Sequence, residues 1–180
     1  MTHRLFVAIR PPEDIRDALI DLMDGVDNAR WQDEDQLHLT LRYAGEVDAH
    51  RADDLAEALL RLKVEPFDLA IKGVGVFEKK GVVHTLWAGI VPSEPLLRLE
   101  RKVERACTSV GIAPETRKFS PHVTLARLNA SCGPSAPFLA RHAGLSLGPW
   151  RVDDYILYES HLRPQGSLYE PVVTYPCRKQ

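Results

Sequence analysis

Two short segments of the chain repeat one pattern: an imidazole, a hydrophobic residue, a hydroxyl and a second hydrophobic residue. They read His38-Leu39-Thr40-Leu41 and His122-Val123-Thr124-Leu125. Because residues two positions apart in a β-strand lie on the same face, each segment offers a histidine and a threonine side by side. The chain has 7 histidines, 180 residues and a 44% hydrophobic content, so roughly one such chain in a thousand would carry two of these motifs by chance.

Two histidines and two threonines supply the groups that break a P–O bond in a strained phosphodiester. Histidine can act as general base or general acid, because its usual pKa of about 6.5 lies near neutral pH. Threonine hydroxyls can donate hydrogen bonds to non-bridging phosphate oxygens. No metal or cofactor is expected, because two histidines without a third ligand in register do not complete a zinc site. The alternative is that the histidines only hydrogen-bond across a polar sheet face.

The hydrophobic pattern predicts an α+β arrangement that would position both motifs. Alternation and short apolar runs predict strands over 4–9, 37–42, 67–77, 82–90, 121–128, 152–160 and 167–175. Apolar residues at helical spacing predict helices over 13–26, 48–62 and 93–111, the last two capped by Asp48 and Ser93. The Gly- and Pro-containing region 130–149 is predicted to form loops with a short helical turn. Helices would pack outside the sheets.

A weak internal repeat relates the two halves. Leu5–Pro11 can be laid over Leu86–Pro92, and 27 and 30 residues separate the two prolines from His38 and His122. The similar spacing in the two halves predicts two similar lobes related by a pseudo-two-fold axis across a groove. Chance similarity of two strand–helix–strand units is the alternative.

Composition limits the function classes. The 23 Lys and Arg against 25 Asp and Glu give a net charge of -2, which excludes a histone-like DNA coat but not a small basic cleft. Three distant cysteines favour neither disulfides nor zinc, and predict a reducing, cytoplasmic location. The apolar run Leu5–Ile9 is too short for a signal segment or a membrane span, so no membrane partner is expected.

With its two HxTx motifs, the sequence resembles the 2H phosphoesterase superfamily. Over nearly the whole chain it resembles the bacterial and archaeal RNA 2',3'-cyclic phosphodiesterases, also known as the 2'-5' RNA ligase family. The segments that carry this resemblance are Arg4–Ile9 with Pro11-Pro12, Trp31, Gly45-Glu46-Val47, Phe119–Arg127, Tyr158-Glu159-Ser160 and Gly166…Tyr169. The Pro-His-x-Thr-Leu-x-Arg extension favours this branch of the superfamily.

This resemblance implies a bilobal 2H phosphoesterase fold. Two antiparallel-rich sheets would face a central cleft with helices outside, and residues 1–180 would form a single domain of two interleaved lobes. It also implies hydrolysis of an RNA or nucleoside 2',3'-cyclic phosphate to a 2'-phosphate, with ATP-independent 2'-5' joining of RNA ends as the reverse chemistry. The expected partner is RNA with a 2',3'-cyclic phosphate end or a cyclic nucleotide, bound by a monomer.

The resemblance carries over six site residues. They are the acid–base pair His38 and His122, the phosphate-holding Thr40 and Thr124, and the substrate-binding Tyr43 and Arg127. Tyr43 stands where phenylalanine is more usual, and keeps a face for stacking. Strict alternation would put Tyr43 and Arg127 on the face opposite the histidines, so the strands must end or twist just before them.

For the mechanism, the hypothesis is that His122 activates water and His38 protonates the leaving ribose 3'-oxygen, although the roles could be exchanged. Arg42 alternates onto the face of His38 and is a candidate phosphate contact. Arg117-Lys118 could line the cleft mouth. His84 is expected to be structural, and Trp31 is expected to pack in the core rather than stack on a base.

Other functions stay open at this point. The enzyme could join tRNA halves, or could act on a small nucleotide such as an ADP-ribose cyclic phosphate. A non-catalytic RNA-binding module is a further alternative, which predicts binding without turnover and an affinity that is indifferent to substitution of His38.

Overall fold

Nine strands and four helices build the protein in the computed structural model, which describes all 180 residues. In chain order they are β1 Thr2–Ile9, α1 Glu13–Ile20, β2 Arg30–Trp31, β3 Leu39–Asp48, α2 Ala49–Leu60, β4 Phe67–Lys79, β5 Val82–Ile90, α3 Glu94–Ser109, β6 His122–Arg127, α4 Ala136–Arg141, β7 Ser146–Val152, β8 Asp154–Arg163 and β9 Gly166–Pro176. A 3₁₀ turn at Glu34–Gln36 precedes β3. The predicted α+β class is confirmed.

The strands form one antiparallel sheet with the order β7-β4-β5-β6-β3-β1-β8-β9, and β2 pairs with β6 off this path. Between the central strands β3 and β6 only Leu39 and Val123 are paired. The two predicted sheets are therefore the halves of a single sheet, joined through the middle residues of the two His-x-Thr motifs. Because so little backbone is shared at this junction, the halves can diverge and leave a cleft between them.

The two halves have matching connections around this junction. In one half β1 leads through α1 to β3, and β1 pairs with β3. In the other half β5 leads through α3 to β6, and β5 pairs with β6. The internal repeat therefore corresponds to two strand–helix–strand units, placed on opposite sides of the Leu39–Val123 pair.

Helices α2 and α3 begin where their capping residues predict. The Asp48 side chain accepts from the backbone N–H of Arg51, and the Ser93 hydroxyl accepts from that of Leu96. Each satisfies an N–H group that has no partner within the helix. The two helices pack against each other and against β1, β3 and β4. Their apolar faces are buried, as the helical spacing predicts, at Leu55, Leu59, Leu96, Leu99 and Val103.

Four elements differ from the predicted ones, and one of them is β3, which continues past the predicted end at residue 42 to Asp48. Helix α1 ends at Ile20, although apolar spacing continues to Val26; beyond Ile20 the backbone turns into i→i+3 hydrogen bonds. Val26 is still buried. The apolar spacing therefore indicated which residues pack in the core and did not indicate where the helix ends. Strand β2 and the strand β7 were not predicted, because β2 is very short and β7 lies in a Gly- and Pro-containing region. None of the four helices combines the length and hydrophobicity that crossing a lipid bilayer requires.

Candidate active site

A β-bulge in β3 resolves the conflict between alternation and the position of Tyr43. In the pairing with β1, Ala8 lies opposite Thr40 and Val7 lies opposite Arg42, so Leu41 is an extra residue on β3. A bulge reverses which face the following side chains occupy. As a result Thr40 and Tyr43 lie on the same face of the strand, three positions apart.

The second motif carries the same irregularity at the same place. In the pairing of β5 with β6, Trp87 lies opposite Thr124 and Leu86 lies opposite Ala126, which leaves Leu125 as the extra residue. Arg127 is thereby brought to the face of Thr124. The fourth residue of each His-x-Thr-x motif is thus the bulged one, and the side-chain alternation shifts there, as the resemblance-based roles of Tyr43 and Arg127 required.

All six predicted site residues line one cavity of about 330 Å³, here called the histidine cavity. Its members from the two motifs are His38, Thr40, Tyr43, His122, Thr124 and Arg127. Around the Leu39–Val123 pair, the antiparallel register places His38 across from Thr124 and Thr40 across from His122. The two imidazoles and the two hydroxyls therefore surround one small volume.

Both imidazoles are oriented by the same contact. Nδ1 of His38 lies 2.7 Å from the carbonyl oxygen of Gln36, and Nδ1 of His122 lies 2.7 Å from that of Ser120. Because a carbonyl only accepts, Nδ1 carries the proton in each ring, and Nε2 is the nitrogen available for proton transfer.

The two Nε2 atoms differ in their surroundings. Nε2 of His38 lies 2.8 Å from the Thr40 hydroxyl, which donates to it when the ring is neutral. Nε2 of His122 has no hydrogen-bond partner in the protein, although the ring is held through Nδ1. The two halves are therefore similar in fold and unequal in chemistry.

The 3₁₀ turn before β3 holds the carbonyl that orients His38. The Asp33 side chain accepts from the backbone N–H of Gln36, and the Gln36 side-chain oxygen accepts from that of Asp33. The Gln36 amide nitrogen also donates to the carbonyl of Ser167 at the start of β9. This reciprocal cap ties the first histidine to a distant strand and limits its motion.

Aromatic rings that the sequence analysis did not single out pack against both histidines. Phe6 lies 4.9 Å from His38 between ring centroids, and Tyr169 meets that ring edge-on at 5.2 Å. Phe77 meets His122 edge-on at 4.9 Å, and Trp87 lies 6.3 Å away. The internal repeat aligns Phe6 with Trp87. An aromatic residue at the same position of both halves was therefore a sequence signal that could have identified these two of the four rings.

The surroundings lower the pKa of both histidines. Burial removes hydration from the charged ring and is the largest cause in each case, with the positive charge of Arg127 adding to it. The pKa of His38 falls to about 4, and that of His122 falls below its usual value. At neutral pH His38 is therefore neutral, and a phosphate anion beside the rings would favour protonation of either one.

This shift predicts a loss of stability in acid. Between the unfolded pKa of about 6.5 and the folded value near 4, the unfolded chain binds more protons, so the free energy of unfolding falls as pH falls. His38 should contribute a loss of about 2 kcal/mol between pH 7 and about pH 4.5. His38→Asn, whose amide can still donate to the Gln36 carbonyl, should flatten the dependence in urea unfolding. An unaltered slope in His38→Asn would contradict the shift.

Arg127 and Tyr43 flank the histidine cavity in different ways. The Arg127 guanidinium donates through Nη1 to the hydroxyl of Thr85 at 3.2 Å, and Thr85 is fully buried. Tyr43 is 45% exposed, so its ring is accessible to a planar ligand. A fixed cation and an open aromatic face are both suited to a nucleotide.

Arg42 does not reach the histidine cavity, which corrects its prediction as a phosphate contact. It is only 6% exposed and lies on the other face of β3, because the bulge at Leu41 reverses the alternation. Its Nε donates to the Glu104 carboxylate and its Nη2 to the carbonyl of Ala113. Arg42 is thus a structural residue that ties β3 to α3.

The remaining candidates lie beside the histidine cavity. Arg117, Lys118 and His84 line a neighbouring groove of about 420 Å³ that shares Thr40, Tyr43 and His122 with the cavity. Trp31 packs against Phe138 at 5.6 Å between ring centroids, in agreement with the predicted packing role. No group of three or more His, Cys, Asp or Glu side chains is placed to hold a metal ion.

Known proteins resemble this chain over nearly its whole length. The sequence matches the family described as LigT like Phosphoesterase over residues 9–87 and 89–169. It is 28% identical to an RNA 2',3'-cyclic phosphodiesterase of Archaeoglobus fulgidus, covering 93% of this chain and 96% of the relative. It is 33% identical to the protein of that name from Aeropyrum pernix, covering 77% and 80%. The crystal structure of E. coli LigT complexed with 3'-AMP matches with a TM-score of 0.79 and 25% identity, covering 99% and 100%.

Proposed function

This chain belongs to the LigT-like phosphoesterase family, and from that membership we propose that it hydrolyses RNA and nucleoside 2',3'-cyclic phosphates to 2'-phosphates. The observation that carries the proposal is the meeting of two imidazole–hydroxyl pairs across the Leu39–Val123 junction in one cavity. Relatives that are 23% to 33% identical are named RNA 2',3'-cyclic phosphodiesterase, which supports this activity over the ligation alternative.

In this proposal the four motif residues surround the reacting phosphorus. Thr124 donates a hydrogen bond to a non-bridging oxygen, where charge increases as water attacks, and Thr40 does the same when its hydroxyl turns from Nε2 of His38 to the phosphate, which leaves that nitrogen free for water. His38 and His122 transfer protons on opposite sides of the phosphorus, as displacement of one oxygen by another requires. Arg127 adds positive charge, and Tyr43 stacks on the substrate. The cavity of about 330 Å³ lies at the lower end of ligand-site volumes and suits one terminal nucleotide.

The unequal surroundings favour His38 as the base and His122 as the acid, which is the exchanged form of the hypothesis drawn from the sequence. Burial lowers the pKa of His38 to about 4, so this ring is neutral and able to accept a proton from water. The pKa of His122 is lowered as well, but its Nε2 is unpartnered. When the substrate phosphate enters, His122 is the ring more easily protonated, and it then gives its proton to the departing 3'-oxygen.

The product distinguishes this function from the alternatives. An oligoribonucleotide with a 2',3'-cyclic phosphate end should be converted to a 2'-phosphate end by the purified protein, without ATP and equally in the presence of EDTA. Phosphorus NMR of the product identifies which ribose oxygen keeps the phosphate. A 3'-phosphate product, or binding of the RNA without any turnover, would overturn the proposal.

The compartment, the domain organisation and the oligomeric state are further parts of this proposal. All three cysteines, Cys107, Cys132 and Cys177, are free thiols, which suits a reducing compartment such as the cytoplasm. A single domain over residues 1–180 and a monomeric state remain predictions. Light scattering of the protein after size exclusion, which should give about 20.2 kDa, tests the monomer.

A further inference from the structure

Gln32 is a buried polar residue in the histidine cavity that the chemistry described above does not use. Its side chain is 7% exposed and lines the cavity together with His122 and Arg127. Its backbone N–H donates to the carbonyl of Leu125 at 2.8 Å. No group of the protein hydrogen-bonds to its side-chain amide, unlike that of Gln36, which has partners on both sides.

The position of Gln32 is set by strand pairing. Arg30 pairs with Arg127 and Trp31 pairs with Ala126, so β2 runs beside the second motif strand. Trp31 packs on Phe138 in the core, and alternation directs the next side chain to the opposite face, which is that of the cavity. The amide is therefore held by a short strand whose backbone is fixed to the strand that carries His122.

The amide of Gln32 has no partner in the protein and opens onto the cavity, which points to a ligand that pairs with it. A ligand that fills the cavity excludes water from this amide, and an amide that is buried without a hydrogen bond is unfavourable, so the ligand must pair with it. The carboxamide has two N–H donors and an acceptor oxygen. Its complement is a ligand that presents an acceptor and a donor next to each other.

We propose that Gln32 reads the edge of the terminal nucleobase and so determines the base preference of the enzyme. This inference rests on the proposed function. A phosphate offers only acceptors, and two threonines and two histidines already surround it, so a phosphate contact would leave the Gln32 oxygen without a donor. The edge of a base offers acceptors and N–H donors together, and glutamine pairs with such edges through both of its groups.

The test compares the four nucleoside 2',3'-cyclic monophosphates as substrates of wild type, Gln32→Leu and Gln32→Glu. In Gln32→Leu, kcat/KM for the preferred base should fall about tenfold, mainly through KM, and the spread among the four bases should narrow. In Gln32→Glu, which has nearly the same shape and can only accept, the order of preference among the four bases should change, because the carboxylate repels the base acceptor that the amide N–H paired with. Gln180→Leu, at the C-terminus and outside the cavity, is the matched control.

The outcomes separate this inference from the proposed function. Wild type that turns over none of the four substrates would refute the function. If wild type turns the four substrates over, base reading by Gln32 would be refuted in two cases. Either both variants lose kcat/KM equally on all four substrates, or neither variant loses any. An equal loss would assign the amide to ribose or phosphate instead. Gln32→Glu keeps the test valid if Gln32→Leu fails to fold, as thermal melting would show.

Discussion

Replacing His122 with alanine is expected to lower kcat for a 2',3'-cyclic nucleotide by about 10²- to 10⁴-fold, the range that general acid–base groups contribute. KM should change little, because Thr40, Thr124 and Arg127 still bind the phosphate. His38→Ala should have an effect of the same size. The double variant should lose little more than either single one, since both rings act in the same proton-transfer step. Steady-state kinetics of the three variants, each checked by thermal melting, measures these effects.

A control histidine lies in the neighbouring groove. His84 is on the same sheet and contacts Phe77, which also contacts His122, but it lies outside the histidine cavity. His84→Ala should therefore change kcat by less than about threefold. Turnover near that of wild type in a folded His122→Ala protein would contradict the acid–base scheme.

A substrate with a different leaving group distinguishes the general acid from the general base. If the 3'-bridging oxygen of the substrate is replaced by sulfur, the thiolate departs without needing a proton, so the general acid becomes dispensable. His122→Ala should then recover most of its loss, whereas His38→Ala should not, because the attacking water still needs a base. Recovery in His38→Ala alone would restore the assignment that the sequence first suggested.

Removing the Glu104 carboxylate is expected to destabilise the protein by about 3 kcal/mol, because it leaves the Arg42 guanidinium buried without its partner. Arg42 is 6% exposed and the Glu104 side chain is 23% exposed, so the arginine is the group that water cannot reach. Glu104 also accepts from the backbone N–H of Glu115 at 2.9 Å. Urea unfolding of Glu104→Ala measures the loss.

Two further variants test the cause of this loss. Arg42→Met with Glu104→Leu removes both charges and should recover much of the stability, since a buried ion pair can be replaced by packed apolar groups at little cost. Glu57→Ala breaks an exposed ion pair with Arg61 on α2 and should change stability by less than about 1 kcal/mol. A loss in Glu104→Ala no larger than that of Glu57→Ala would show that the pair is not effectively buried.

The hydrogen bonds of Arg42 also connect the stability of the fold to the geometry of the histidine cavity. Nη1 of Arg42 donates to the carbonyl of Tyr43 at 2.7 Å, just after the bulge that turns the Tyr43 ring into the histidine cavity. The salt bridge therefore holds the strand where its pleat shifts. In Glu104→Ala we expect KM to rise while kcat is nearly kept, because substrate contacts move and the histidines do not.

Local sequence determined seven of the nine strands, most of the helices and the two motif faces. Alternation of polar and apolar residues placed His38 with Thr40 and His122 with Thr124, because the two-residue period of a strand depends only on its own backbone. Asp48 and Ser93 marked helix starts, because an N-cap bonds within its own first turn. These features can be predicted from a short segment without the rest of the fold. The rarity of two such motifs in one sequence can likewise be calculated without the structure.

Tertiary structure alone decided what happens after each threonine. The bulges at Leu41 and Leu125 exist only relative to the partner strands β1 and β5, so alternation within one strand could not reveal them. They bring Tyr43 into the cavity and send Arg42 to the opposite face. Pairing between strands far apart in sequence likewise places Gln32 in the cavity, and the packing of separate strands produces the low pKa of His38. Register and burial are properties of contacts between segments, which a pattern read along one segment does not contain.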